Sequence, residues 1–363
     1  MALLGMGRSR MKNQFGQLLL IEGPKAEWSP ALGRVLKRFK PAGVLFRSLT
    51  TLTAIAEVTR KATDALEFVP FLAVEEDGGG PLCSLVGPLP SLGRLGERAA
   101  EGVGNLVGAT MELVGLSLDL APVIDLLPVS AEAVKSTHGA RPSIPGGRSA
   151  EVTSRAEGFI RGLARHRVLP CARHFPGLAT AGAHSQPAPV VERTMVTLWR
   201  EDLVPYRTLS GKLPMVEISH AAYKAYDYEF PRPASMSPSV VEGLLRLKLR
   251  YEGVALAEVL VSSRAAGVEV SEAAVRALAA GCDLLLVPGD ENSLEAVLTA
   301  VERAVDFGQL PAQRIEQALE RTKHARKGLA IARHQPSERD LARLAHEFEA
   351  FRKQRGAGEP SLG

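Results

Sequence analysis

"LPMVEISHAAYKAYDYEFPRPASMSPSVVEGLLRLKLRYEGVALAEVL", residues 213–260, holds one complete turn of the pattern that decides the fold. Its first segment, "LPMVEIS" (Leu213 to Ser219), is a short apolar run closed by polar, turn-forming residues, and reads as a strand. Residues 236–250 carry apolar side chains at helical spacing, and "GVALAEVL" (Gly253 to Leu260) is a second apolar run. A strand, a helix and a strand in this order form a βαβ unit, in which the helix carries the chain back so that the two strands run parallel.

The same alternation extends in both directions. Upstream runs are "QLLLIEG" (Gln17 to Gly23), "GVLF" (Gly43 to Phe46), "PFLAVEE" (Pro70 to Glu76), "LSLDLAPV" (Leu116 to Val123) and "VLPCARHF" (Val168 to Phe175). Downstream lies "CDLLLVP" (Cys282 to Pro288). Helical patterns fall at 30–40, 52–66, 95–115, 149–166, 194–209, 236–250 and 271–281, with amphipathic stretches at 292–306 and 311–333. Eight strands is the number of a (β/α)8 TIM-type barrel, an α/β fold of one domain. Residues 1–14 read as an N-terminal extension, 15–335 as the barrel, and 336–363 as a charged helix N-capped by Ser337 followed by a tail.

Composition narrows the function. With 363 residues, 45% of them hydrophobic, the chain can bury a substantial core. Its 44 basic and 40 acidic residues are dispersed, and aromatic residues make up 5%, so neither a nucleic-acid surface nor a base-stacking platform is indicated. Cys83, Cys171 and Cys282 are odd in number and widely spaced, which predicts free thiols in a reducing cytoplasm and no zinc site. "MALLGMGRSRMKNQ" is too short in apolar residues for a signal-peptide core, and no run of about 18 apolar residues predicts a membrane span. "GVGNLVG" lacks a preceding strand, and no phosphate loop is present, so no cofactor is expected.

In a barrel of this kind the working residues sit at the C-terminal ends of the strands and on the loops that follow. Glu75, Glu76, Asp77, Asp125, Arg173, His174, His220, Glu258 and Asp290 occupy such places, and long loops fall at 77–90 and 139–147. Carboxylates with an Arg and several His suit a polyhydroxylated ligand and acid/base or nucleophilic chemistry on it. Each has a plain alternative. Glu258 is either a nucleophile or an ion-paired strand end; His174 is either ligand-facing or a hydrogen-bonded core histidine; His184 is either a loop acid or an exposed polar residue. The glycines of "EEDGGG" also serve positive backbone angles.

From about residue 15 to about 330 the sequence resembles glycoside hydrolase family three, in particular the single-barrel bacterial β-N-acetylglucosaminidases. "RHFPG" (Arg173 to Gly177) resembles that family's Lys-His-Phe-Pro-Gly, and "LAVEEDGGG" stands where the family has a strand ending in Asp-Gln-Glu-Gly-Gly. "GQLLLIEG", "KPAGVLF", "LDLAPVIDL", "EDLVPYRTL" and "ALAAGCDLLLVPGD" match further segments in order. The resemblance implies sugar-hydroxyl binding by Glu75, Arg141, Arg173 and His174, with Glu258 as nucleophile.

It also marks departures. Glu75 and Glu258 stand where the family has Asp, Arg173 where it has Lys, and Leu178 where it has His; Pro142 intervenes beside Arg141. The family's Asp-Ser-His loop reads Gly182-Ala183-His184-Ser185 here, with either His184 or Ser185 at the acid/base position and no Asp. Two functions follow: a retaining β-N-acetylglucosaminidase acting on a cell-wall amino sugar, using Glu258 and His184, or an inactive sugar-binding barrel. A scaffold without sugar affinity is a third.

Overall fold

The computed structural model describes residues 14–23, 25–90, 92–126, 148–178, 189–329 and 335–356. Strands β1 (Leu19–Gly23), β2 (Gly43–Phe46), β3 (Phe71–Val74), β4 (Leu118–Asp119) and β5 (Leu169–Phe175) come first, followed by β6 (Val190–Val191). Next are β7 (Met215–Ile218), β8 (Ala222–Tyr223), β9 (Val254–Glu258) and β10 (Leu284–Pro288). Eight of these close a parallel barrel in the order β1-β10-β9-β7-β5-β4-β3-β2. The ring is sealed where Leu19 to Glu22 pair with Leu285 to Pro288. β6 and β8 pair with each other apart from the barrel, in a small sheet not expected from the sequence.

Alternation along each strand separates two cores. Leu20, Leu45, Phe71, Ala73, Leu118, Leu120, Cys171, Met215, Val254, Leu256, Leu284 and Leu286 fill the interior. Their neighbours Leu19, Ile21, Val44, Phe46, Leu72, Val74, Val216, Ile218, Ala255 and Ala257 belong to the outer core that the helices cover. The next interior step beyond each apolar layer is therefore fixed by parity. On β1, β3, β7 and β9 it falls on Glu22, Glu75, Glu217 and Glu258; on β2 and β5 it falls on Arg47 and Arg173.

Helices Glu97–Val114 and Ser149–Ala164 pack closely through small residues. A Cβ at Gly162 would lie 2.4 Å from the Asn105 amide nitrogen, and one at Gly104 would lie 2.2 Å from the Phe159 carbonyl oxygen. The glycines of "GVGNLVG" thus serve a helix contact. The expected 194–209 helix is two pieces, Met195–Arg200 and Leu203–Leu209, since the Pro205 ring opposes helix continuation at the carbonyl four residues earlier. The stretch expected to be helical over 311–333 is helical over Ala312–Ala325, and Gly328 follows at a positive φ of 81°. After Ser337, which accepts from the Asp340 amide, helix Glu338–Gly356 buries Leu344 and Phe348 in the outer core.

At the N-terminal end of the barrel Asp283 is fully buried among three arginines. Arg246 bonds one carboxylate oxygen, while Arg314 at 2.5 Å and Arg321 at 3.1 Å bond the other. This ties two helices to the start of β10. All three cysteines are buried and free. Among the described residues no helix is long and apolar enough to cross a membrane.

Candidate active site

The six charged side chains fixed by strand parity meet at the C-terminal mouth. Arg47 is the hub of one half. Its Nε donates to Glu22, its Nη1 to Glu75 Oε1 at 2.6 Å, and its Nη2 to Glu258 Oε1 at 2.5 Å. Arg173 is the hub of the other, donating to Glu75 Oε2 at 3.1 Å and lying 3.6 Å from Glu217 Oε2. Glu75 therefore bridges both guanidiniums, with one oxygen on each. Among the described residues, these four carboxylates share two guanidiniums.

His174 joins from the same strand as Arg173. In a regular strand adjacent side chains point to opposite faces. Here the pairing of β5 with β7 shifts register between Ala172 and Phe175, the Arg173–His174 peptide is cis, and both side chains approach Glu217. The His174 Nδ1 lies 2.8 Å from Asp125 Oδ2, and its Nε2 lies 3.7 Å from Glu217 Oε1. Asp125 also accepts from the amides of His174 and Leu178, at 3.2 and 2.9 Å. With a carboxylate as acceptor, Nδ1 carries the proton and Nε2 is turned to the mouth.

Burial and charge set the protonation of these groups. Burial pushes Glu258 up, Glu217 adds to the rise, and Arg47 pulls the other way; the balance leaves its carboxyl at about 7. For His174, burial favours the neutral ring, but the Asp125 carboxylate beside it, with Glu217, outweighs burial and raises the imidazolium pKa. Asp125 is lowered in turn: burial opposes, and the His174 ring together with the amides of Leu178 and His174 outweighs it. Burial opposes the charge of Arg173 as well, and Glu75 with Glu217 more than offsets it.

Of the residues expected from sequence, Glu75, Arg173, His174 and Glu258 come together. Arg141, His184 and Ser185 lie outside the described residues. Glu76 turns away: its carboxylate accepts the backbone N–H groups of Gly78 and Gly80, both at 2.8 Å, and of Cys83 at 3.0 Å. That holds the loop after β3, where Gly78 adopts a positive φ of 98°. Asp290 caps helix Glu291–Asp306 through the Ser293 amide at 2.9 Å. Glu22, Arg47 and Glu217 were not singled out by sequence; each is two residues beyond an interior apolar residue, Leu20, Leu45 and Met215, and that parity would have found them. Among the described residues no group of three His, Cys, Asp or Glu side chains is placed to hold a metal ion.

A parallel eight-stranded barrel whose mouth gathers carboxylates, guanidiniums and an imidazole has the architecture and chemistry of an enzyme acting on polyhydroxylated substrates. Residues 11–325 match the Glycosyl hydrolase family 3 N terminal domain, and the chain belongs to that family. A beta-hexosaminidase of Pseudomonas aeruginosa is 31% identical over 306 residues, 79% of this chain and 87% of that one. A beta-hexosaminidase of Idiomarina loihiensis is 31% identical over 271 residues, 71% of this chain and 79% of that one. The solved structure of a GH3-family glycosyl hydrolase from Mycobacterium smegmatis has a TM-score of 0.75 at 27% identity, covering 90% of this chain and 99% of that one.

Proposed function

We propose that the chain is an O-glycosyl hydrolase of the hexosaminidase type, a retaining β-N-acetylglucosaminidase that removes terminal β-linked amino sugars. The observation that carries this reading is the convergence of Glu258 with Glu75, Arg173 and His174 at one barrel mouth. The family and its beta-hexosaminidase relatives support the substrate class.

Arg173, His174 and Glu75 grip the sugar hydroxyls: the first two donate hydrogen bonds and the carboxylate accepts them. The ionised Glu258 attacks the anomeric carbon. As that C–O bond forms, the glycosidic C–O bond breaks, and the leaving oxygen takes a proton from His184. His184 then accepts a proton from water, whose oxygen attacks the same carbon and releases Glu258. Arg141 completes the grip on the sugar. The substrate we assign is an N-acetylglucosamine-bearing cell-wall fragment undergoing recycling in the cytoplasm, a compartment that three buried free thiols support.

The purified protein is expected to release the aglycone from an aryl β-N-acetylglucosaminide and to form an adduct with an activated fluorosugar on the peptide that contains Glu258. Absence of both turnover and adduct would sink the proposal; saturable sugar binding in that case would identify an inactive sugar-binding barrel.

A further inference from the structure

Arg47 makes contacts that the hydrolytic scheme above does not use. It follows β2, and its guanidinium bonds carboxylates from three other strands: Glu22 on β1, Glu75 beyond β3 and Glu258 at the end of β9. All four side chains are mostly buried, at 17–27% exposure, so the contact operates away from bulk solvent. Its planar fork lets one cation fix the three acceptors in a single geometry.

Glu258 needs such a partner for two reasons. Three side-chain torsions separate its carboxylate from the backbone, and displacement of a nucleophile by about 1 Å can cost on the order of a hundredfold. Its neighbours also oppose ionisation, since Glu217 and Glu75 are like charges in the same mouth. The charged groups that act on it most strongly among the described residues are Glu217, Arg47, Glu75 and Arg173; its β10 partner is Leu286, which carries no charge. Of the two cations, Arg47 hydrogen-bonds Glu258, whereas Arg173 acts on it through space.

We propose that Arg47 is a positioning residue for Glu258: it holds Oε1 of the ionised carboxylate, directs Oε2 toward the anomeric carbon, and is itself aimed by Glu22. The proposal rests on Glu258 being the nucleophile. Glu75 has Arg173 as a second guanidinium partner, so loss of Arg47 should harm the attacking group more than the grip on the sugar.

The test replaces Arg47 by Met, with Arg47→Gln as a second neutral variant should the first fail to fold, and Arg47→Lys as the charge-retaining rescue. The Glu258 carboxyl is titrated by 13C NMR on protein labelled at the glutamate side-chain carboxyl, its signal assigned by absence in Glu258→Gln; kcat and KM for the aryl glycoside are followed over the same pH range. In either neutral variant the Glu258 midpoint should rise by about one pH unit or more, with the acid limb of kcat/KM rising alongside. At pH 7 kcat should fall by about tenfold or more while KM changes less than about threefold. The Lys variant should recover most of the midpoint but only part of kcat, because it keeps the charge and loses the fork.

A midpoint unmoved within about 0.3 units in a folded neutral variant overturns the proposal, since a full pKa unit is about 1.4 kcal/mol. So does an equal proportional change in kcat and KM. A shifted midpoint in a protein that turns over no glycoside upholds the Arg47–Glu258 coupling and removes the hydrolase reading, so the two failures are distinguishable.

Discussion

The two ends of the barrel carry opposite charge patterns. At the N-terminal end one carboxylate, Asp283, is enclosed by three guanidiniums; among the described residues of the C-terminal mouth two guanidiniums are shared among four carboxylates. The lower cluster uses both oxygens of a wholly buried acid and joins helices to a strand, so it is built for permanence. Among the described residues of the mouth these acids outnumber the guanidiniums that bond them, and the environment raises Glu258 to about 7, so that it is not fully ionised at neutral pH. Buried ion pairs are costly to form and costlier to break. The same physics gives a clasp where the charges are matched in excess and a titratable site where they are not.

The largest expected effect is in the mouth. Glu258→Gln keeps the shape of the side chain and removes the attacking oxyanion, and it should lower kcat by about 10⁴-fold with the fold intact. A loss below about tenfold in steady-state assays would show that Glu258 is not the nucleophile.

Next is the lower clasp. Asp283→Asn leaves three guanidiniums without their anion and should cost about 3 kcal/mol or more in denaturant unfolding, while kcat per folded molecule stays unchanged. If stability were unaffected, the contrast between a structural end and a chemical end would fail.

The smallest effect tests the titration of the mouth. Glu258 has its folded pKa raised from 4.5 to about 7, so the stability gained by keeping it neutral is complete below about pH 4.5 and is lost as pH rises through about 7. Glu258→Gln has no such loss. Its stability relative to the wild type should therefore improve by up to about 3 kcal/mol between pH 4.5 and pH 8. A difference flat with pH, measured by thermal unfolding, would contradict a raised Glu258. The same ionisation predicts that kcat/KM falls as pH drops below about 7.

Glu75, Arg173, His174 and Glu258 were legible because each ends an apolar run, and in a barrel such ends share one mouth. Other assignments changed on folding. Glu76, adjacent to Glu75, points by parity away from the mouth and becomes the acceptor for the loop after β3. The apolar pattern puts Glu258 inside a strand running to Leu260, yet Val259 begins a helix directly, which places Glu258 at the rim. Val259 and Leu260 have the apolar, branched character of either element, so local composition does not separate the two.

The sequence by itself determined the barrel. Alternating apolar runs, helices of the right length and turn residues between them are local signals, and eight of them in order leave one economical way to bury the strands on both faces. Which charges meet was decided by the tertiary structure. Arg47 finds Glu22, Glu75 and Glu258 because β1 closes onto β10 and brings residue 258 beside residue 47 across 211 positions of chain. Apolar burial depends on the character of each segment and is written locally, whereas an ion pair depends on two side chains being within a few ångströms, which only closure of the ring supplies.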